Sequence, residues 1–356
     1  MEITFQCFWS HALIIASFLS CVLAGFPADS LTACAINNGG IVTLGVHLGL
    51  THISAACLND DGVPVPVTRI DGHEAYKVYM NDTIEHDGVR FLYDGTYHMK
   101  VDGQTLPAPP EIHNDSDVES IFRTGLRNIM EAAEDHLNTS VKIEAIAHPQ
   151  HFNRTSRLSI YHAGQAFSPV FHEPQYVHAF FAMAATAFSN DYCTAPRSGA
   201  PPDDEPEYNV LIINHELDRV EIFLGEVDSM GPRLWWGQRI VSLDKSTMNS
   251  TGGLKEDAEF HKHLKELVER HLPRGPPENP CAAINTIMVA GELSAEAAHQ
   301  VAAAISDTLL VPIDKITAEQ SPYRAALGAA CHAYLMANHP PPELAHSGTY
   351  HLHDEI

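Results

Sequence analysis

Apolar positions change their period several times along the chain, and the changes mark out strands and helices. Apolar runs at residues 41–44 and 52–58 flank a turn at Gly49 and read as strand, tight glycine turn, strand. Acidic, glycine-dotted sequence follows to about residue 110. Between 117 and 137, Val118, Ile121, Phe122, Leu126, Ile129, Met130 and Ala133 recur at three- and four-residue steps, the spacing of one helical face. Residues 114–117 supply N-cap candidates for this helix. Residues 141–147 read as a strand, 155–166 as a helix and 174–188 as an apolar helix. Beyond a proline-rich acidic stretch, a second strand pair reads at 209–213 and 220–227. A charged helix at 254–271, a strand at 286–290, an Ala-rich helix capped by Ser294 and a last helix at 324–336 complete the pattern.

Strand pairs followed by strands that alternate with helices point to α/β layering. The opening unit recurs after residues 195–208, the clearest linker in the chain, so the sequence reads as a duplicated two-lobe plan. The expected lobes are 38–194, with the helix at 322–338 returning to it, and 209–321. Residues 339–356 read as a tail.

Composition and charge narrow the setting. The formal net charge of −24 argues against a nucleic-acid or anionic-membrane surface, since both need clustered Lys and Arg. Residues 12–25 form an apolar core of signal-peptide length ahead of small residues, so 1–25 reads as a signal peptide; an uncleaved signal anchor is the alternative. No other stretch is long and apolar enough to span a bilayer. Asn-x-Ser/Thr sequons stand at Asn81, Asn114, Asn138, Asn153 and Asn249, in agreement with glycosylation in the secretory pathway. The last four residues, from His353 to Ile356, resemble the HDEL address that retains proteins in the endoplasmic reticulum lumen; a secreted protein with an ordinary acidic tail is the alternative. Cys34, Cys57, Cys193, Cys281 and Cys331 remain after the signal and match no zinc spacing.

Several motifs in order resemble the ATPase domain of the 70-kilodalton heat-shock chaperone family, within the actin-like ATPase superfamily. The stretch from His148 to Arg157, with Pro149, Phe152, Asn153 and then Ala163-Gly164, resembles the family's Pro, Phe-Asn, Arg, Ala-Gly series. Glu173-Pro174 resembles the opening of its interlobe helix, and Gly252-Gly253 a diglycine ahead of a second-lobe helix. The turn ending in Gly291 resembles the adenosine turn, and 326–330 the closing Gly-Ala-Ala helix. The resemblance covers about residues 40 to 338. It implies a two-lobed actin-like fold, a duplicated mixed sheet flanked by helices, with a shortened second lobe and no peptide-binding domain.

The departures from the family fall on its chemistry. Gly49 and Thr51 remain in the first hairpin, but His47 stands where the family has aspartate and Leu50 where it has threonine. The second hairpin, expected as Asp-x-Gly-Gly-Gly-Thr, is Asn214-His215-Glu216-Leu217-Asp218-Arg219, without a glycine. Phosphate binding needs backbone N–H groups that glycines let approach, and Glu216 and Asp218 would instead set carboxylates beside a polyanion. Imidazole is a poor replacement for the aspartate that would order the hydration shell of Mg²⁺. Glu173 is the candidate for positioning an attacking water, against the reading of a carboxylate favoured at a helix N-terminus. Gly49 and Thr51 are the phosphate-side candidates and Gly291 the adenine-side one, against the plain reading of a strand residue and a turn glycine.

The expectation is therefore a secretory-pathway pseudo-ATPase, related to the chaperones, that acts on a protein partner or client. The alternatives are an active core that binds ATP or ADP with Mg²⁺ and hydrolyses ATP, and a secreted glycoprotein with an unrelated binding role. No resident metal is expected: His148 with His151, and His261 with His263, lack a third ligand.

Overall fold

The computed structural model of the protein describes residues 34–37, 39–87, 100–101, 104–105, 115–149, 152, 154–167, 176–178, 183, 208–216, 219–228, 231–242, 258–271, 284–291, 293, 295–313, 316–317 and 321–338. All of them belong to one compact unit, Cys34–Ile356. The chain runs β1 (Val42–Leu48), β2 (His52–Leu58), β3 (Pro64–Asp71), α1 (Glu74–Asp87), β4 (Lys100–Val101), β5 (Gln104–Thr105), α2 (Asp115–Leu137), β6 (Val141–His148), α3 (Arg154–Gln165) and β7 (Tyr176–His178). It continues with β8 (Tyr208–Glu216), β9 (Arg219–Asp228), β10 (Gly231–Ser242), α4 (Ala258–His271), β11 (Ile284–Gly291), α5 (Ala295–Leu309), β12 (Ile316–Thr317) and α6 (Arg324–Asn338).

The class is α/β, with two five-stranded mixed sheets and six α-helices among the described residues. The strand orders are β3-β2-β1-β6-β7 and β10-β9-β8-β11-β12, the same order in the two halves. In each sheet the first three strands form an antiparallel meander, the fourth pairs parallel with the first strand of that meander, and the fifth pairs parallel with the fourth. Parallel neighbours need a crossover of a dozen or more residues, which the intervening helices supply.

β1 and β2 are buried almost throughout because both faces of their sheet are covered, which explains their near-continuous apolar sequence. One face (Leu44, Val46, Leu48, Ile53, Ala55) shares a core with Val118, Phe122, Leu126, Ile129 and Ala133, the apolar stripe of α2. On the opposite side, Ala56 and Leu58 pack with Ala326, Leu327, Ala330 and Cys331 of α6. This second layer is built of small side chains so that α6 can lie close. At Gly45 the fit is extreme: a Cβ there would stand 2.0 Å from the Ala330 nitrogen. A third cluster unites Ala145 and Ala147 of β6, Ala325, Ala329 and Ala333 of α6, and Val210, Ile212, Phe223, Met288 and Ala290 of the second sheet. The helix α6 is thus shared between both sheets through an apolar seam.

Three parts of the structure depart from the sequence expectation. The stretch 174–188 was expected as a helix, but Tyr176–His178 forms the strand β7, paired parallel with Ile146 to His148. The two β-favouring residues Tyr176 and Val177 extend a sheet edge there; Met183 is helical, as expected, and the rest of that stretch lies outside the described residues. β3 and α1 fall in the acidic, glycine-dotted sequence to which no element was assigned. Pro64 and Pro66 are tolerated in β3 because it is the outer strand of its sheet. β10, which carries Trp235 and Trp236, was also not anticipated.

Cys34 and Cys57 form a disulfide, and Cys331 is disulfide-bonded too, so no described cysteine is a free thiol. Among the described residues, no helix is long and apolar enough to cross a membrane.

Candidate functional site

The two sheets are joined by more than apolar packing. At the turn between β1 and β2, the Leu50 backbone N–H donates to the Oε2 carboxylate oxygen of Glu216, at the end of β8. The partners are separated by 166 positions in sequence and the contact is buried. Glu216 is 3% exposed and Leu50 5% exposed.

Register explains how the polar groups meet. Asn214 and Glu216 are two apart on β8 and share a face. Asn214 pairs across the hairpin with Glu221 of β9. The Asn214 Nδ2 group accordingly donates both to Glu216 Oε1 at 3.2 Å and to Glu221 Oε2 at 3.1 Å. The side chains of Asn214, His215, Glu216 and Glu221 are all buried, as are those of His47 and His52 in the first hairpin. The rings of His47 and His52 meet edge-on with centroids 6.1 Å apart.

The first turn spends its own polar groups internally. The Gly49 N–H donates to the His52 carbonyl at 2.9 Å, and the Gly72 N–H to the Thr51 carbonyl at 2.8 Å. The Tyr76 hydroxyl, on α1, donates to the Gly49 carbonyl at 2.6 Å. Of the three turn N–H groups at Gly49, Leu50 and Thr51, the first serves the hairpin and the second serves Glu216.

Burial is the main influence on Glu216. It pushes the Glu216 carboxyl above its ordinary range, and neighbouring Glu221 adds to the rise. His52, the Leu50 N–H and the Asn214 amide pull in the opposite direction. The Tyr76 phenol is held well above its ordinary range by burial and by Glu216, so it remains a neutral donor.

His47, Gly49, Thr51, Asn214 and Glu216 therefore lie on the two hairpins that meet here, whereas Gly291 serves a neighbouring need. Gly291 ends β11 opposite His215, with φ of 102° and with a Cβ position 2.0 Å from the His215 carbonyl oxygen. Both the left-handed backbone and the close approach of β8 require glycine there. Gly45 on β1 admits the close approach of α6. Glu173 lies outside the described residues, as do Asn114, Asn153 and Asn249. Asn81 on α1 and Asn138 are exposed; Asn138 follows α2 with φ of 51°, the helix-ending conformation that asparagine adopts readily.

His52, Tyr76 and Glu221 were missed in the sequence. Glu221 had a signal: a register that pairs Glu216 with Arg219 places it directly opposite Asn214, whereas the expectation put the whole of 214–219 between the strands. His151 lies outside the described residues, and the other histidines flagged for spacing have local roles. His148 stacks on Phe152 at 5.9 Å, the His261 ring contacts the Thr308 hydroxyl, and His263 lies 3.6 Å from Glu266. Among the described residues, no group of three His, Cys, Asp or Glu side chains is placed to hold a metal.

No protein-family model matches the chain, and no curated protein matches it in sequence.

Proposed function

We propose that the protein is a pseudo-ATPase related to the heat-shock-70 chaperones, an actin-like core that works in the secretory pathway through contacts with a protein partner or client. The observation that carries this reading is the Glu216 carboxylate on the Leu50 N–H. In an actin-like ATPase the two hairpins would face a polyphosphate and offer it backbone N–H groups. Here one hairpin supplies a carboxylate and the other receives it, so the anion is part of the chain.

Electrostatics support the same reading. A triphosphate brought to this junction would meet Glu216 and Glu221 in a site without bulk water. Two like charges about 4 Å apart at an effective dielectric near 20 repel by about 4 kcal/mol. His47 offers no oxygen to order hydrated Mg²⁺. The matching strand orders of the two sheets favour a duplicated two-lobed core. The disulfide between Cys34 and Cys57 and the exposed sequons at Asn81 and Asn138 favour an oxidising, glycosylating compartment, with the HDEL-like end as its retention address.

Combining Glu216→Gly with His47→Asp tests the reading. The pair removes the internal anion, restores a flexible turn and returns the carboxylate for metal hydration. Mg-ATP is expected to raise the melting temperature of the double variant, with about 2.7 kcal/mol of stabilisation at 100 times the dissociation constant. A variant that folds, judged by its melting transition without nucleotide, yet gains nothing from Mg-ATP would count against a closed phosphate site.

A further inference from the structure

We propose that the Glu216 carboxylate is a built-in latch: it holds the two sheets closed on each other without a ligand, so the chain presents one fixed lobe arrangement to its partner. The inference rests on the pseudo-ATPase reading for the identity of the two hairpins. It goes beyond that reading by assigning the molecule a conformational state.

The two sides of the latch are prepared separately. On the first side the turn is held by its own half of the chain. The Gly49 N–H donates to the His52 carbonyl, the Gly72 N–H to the Thr51 carbonyl and the Tyr76 hydroxyl to the Gly49 carbonyl. Tyr76 is itself wedged in place. A Cβ at Gly72 would stand 2.4 Å from its ring, and that ring meets Phe122 of α2 edge-on with centroids 6.4 Å apart. On the second side, the Asn214 amide holds the Glu216 carboxylate and is anchored in turn by Glu221. The bond from Leu50 to Glu216 then joins two groups whose positions are already set. Little conformational freedom remains to be lost when it closes.

The second attachment between the sheets has a different chemistry. Ala325, Ala329 and Ala333 of α6 pack with Ala145 and Ala147 of β6 and with Val210, Ile212 and Met288 of the second sheet. Apolar contact of this kind is non-directional, and packed surfaces of small side chains can slide or pivot on one another. A hydrogen bond is directional and fixes a separation. With an ionised acceptor it is also roughly twice as strong as a neutral one. The seam at α6 thus permits relative motion of the two halves, and the bond at Leu50 arrests it.

Spin labels at Asn128→Cys on α2 and Gln300→Cys on α5, two exposed positions, report the separation of the halves by pulsed dipolar spectroscopy of the full chain. The otherwise wild-type protein should give one narrow distance. Glu216→Ala should shift the distribution to longer and broader distances. Acetate, a free carboxylate for the vacated Leu50 N–H, should draw it back, whereas sodium chloride at equal ionic strength should not. Glu216→Gln, which keeps the shape with a neutral acceptor, should open part of the population. Several distances in the wild type, or a Glu216→Ala protein as closed as the wild type, overturns the proposal. So does an opened variant on which acetate and chloride act alike. If Glu216→Ala does not fold, Glu216→Gln decides in its place, and a wild-type distribution there overturns the latch. No nucleotide enters this experiment, so its failure leaves the pseudo-ATPase reading standing, and the melting test with Mg-ATP decides that reading separately.

Discussion

Gly45→Ala is expected to destabilise the protein by about 3 kcal/mol, the upper part of the range for overpacking a well-filled interior. The added methyl would stand 2.0 Å from the Ala330 nitrogen, 2.4 Å from the Ala329 carbonyl carbon and 2.6 Å from the Ala330 Cα. All three are backbone atoms of α6, so no rotamer change relieves the clash and the helix itself must shift. The helix also packs against the second sheet through Ala325, Ala329 and Ala333, so the shift propagates across the apolar seam. Thermal or denaturant unfolding measures the loss. Gly39→Ala is the control: its added Cβ would meet nothing closer than the Asn37 side-chain oxygen at 3.3 Å, on an exposed loop. It should stay within about 0.5 kcal/mol of the wild type. Equal effects from the two substitutions would contradict the close packing of α6.

Loss of the disulfide between Cys34 and Cys57 should cost about 3 kcal/mol, as expected for a closed loop of this size. The two cysteines are 23 positions apart, and Cys57 is fully buried in β2. The bridge fastens the segment before β1 to the sheet, where the Ala35 N–H also bonds the Leu58 carbonyl at 2.7 Å. Without the covalent tie, that single strand of contacts must order the segment alone. Cys34→Ser with Cys57→Ala separates this effect from the disulfide of Cys331, which a reducing agent would break as well. The expected signs are a lower denaturation midpoint and faster amide exchange at residues 34–41. A cost below about 1 kcal/mol would show that the segment is held by its backbone bonds.

The sequence was most informative where one face of an element decides its packing. The stripe of α2 was readable because Phe122, Leu126 and Ile129 meet a single sheet face at helical spacing. α1 was not, because Tyr76, Tyr79 and Met80 are buried while Val78 is 47% exposed, and polar residues interrupt the stripe. β3 hid behind two prolines that only an outer strand accepts. The positions His47, Asn214 and Glu216 could be picked out by setting each hairpin against the heat-shock-70 pattern it resembles. Their meaning could not, since the bond from Leu50 to Glu216 spans two sheets that each must fold before the partners are neighbours. Gly45 and Gly291 show the same limit. Their missing side chains admit a helix against a strand at Gly45 and a strand against a strand at Gly291, approaches that only the assembled sheets reveal.

The central claim is that the chain supplies its own anion to the turn at Leu50. Titrating the wild-type protein with Mg-ATP and Mg-ADP, and following its melting temperature, tests it most directly. The account predicts no shift at millimolar nucleotide. A saturable rise in melting temperature, equivalent to about 2.7 kcal/mol at 100 times the dissociation constant, would contradict it.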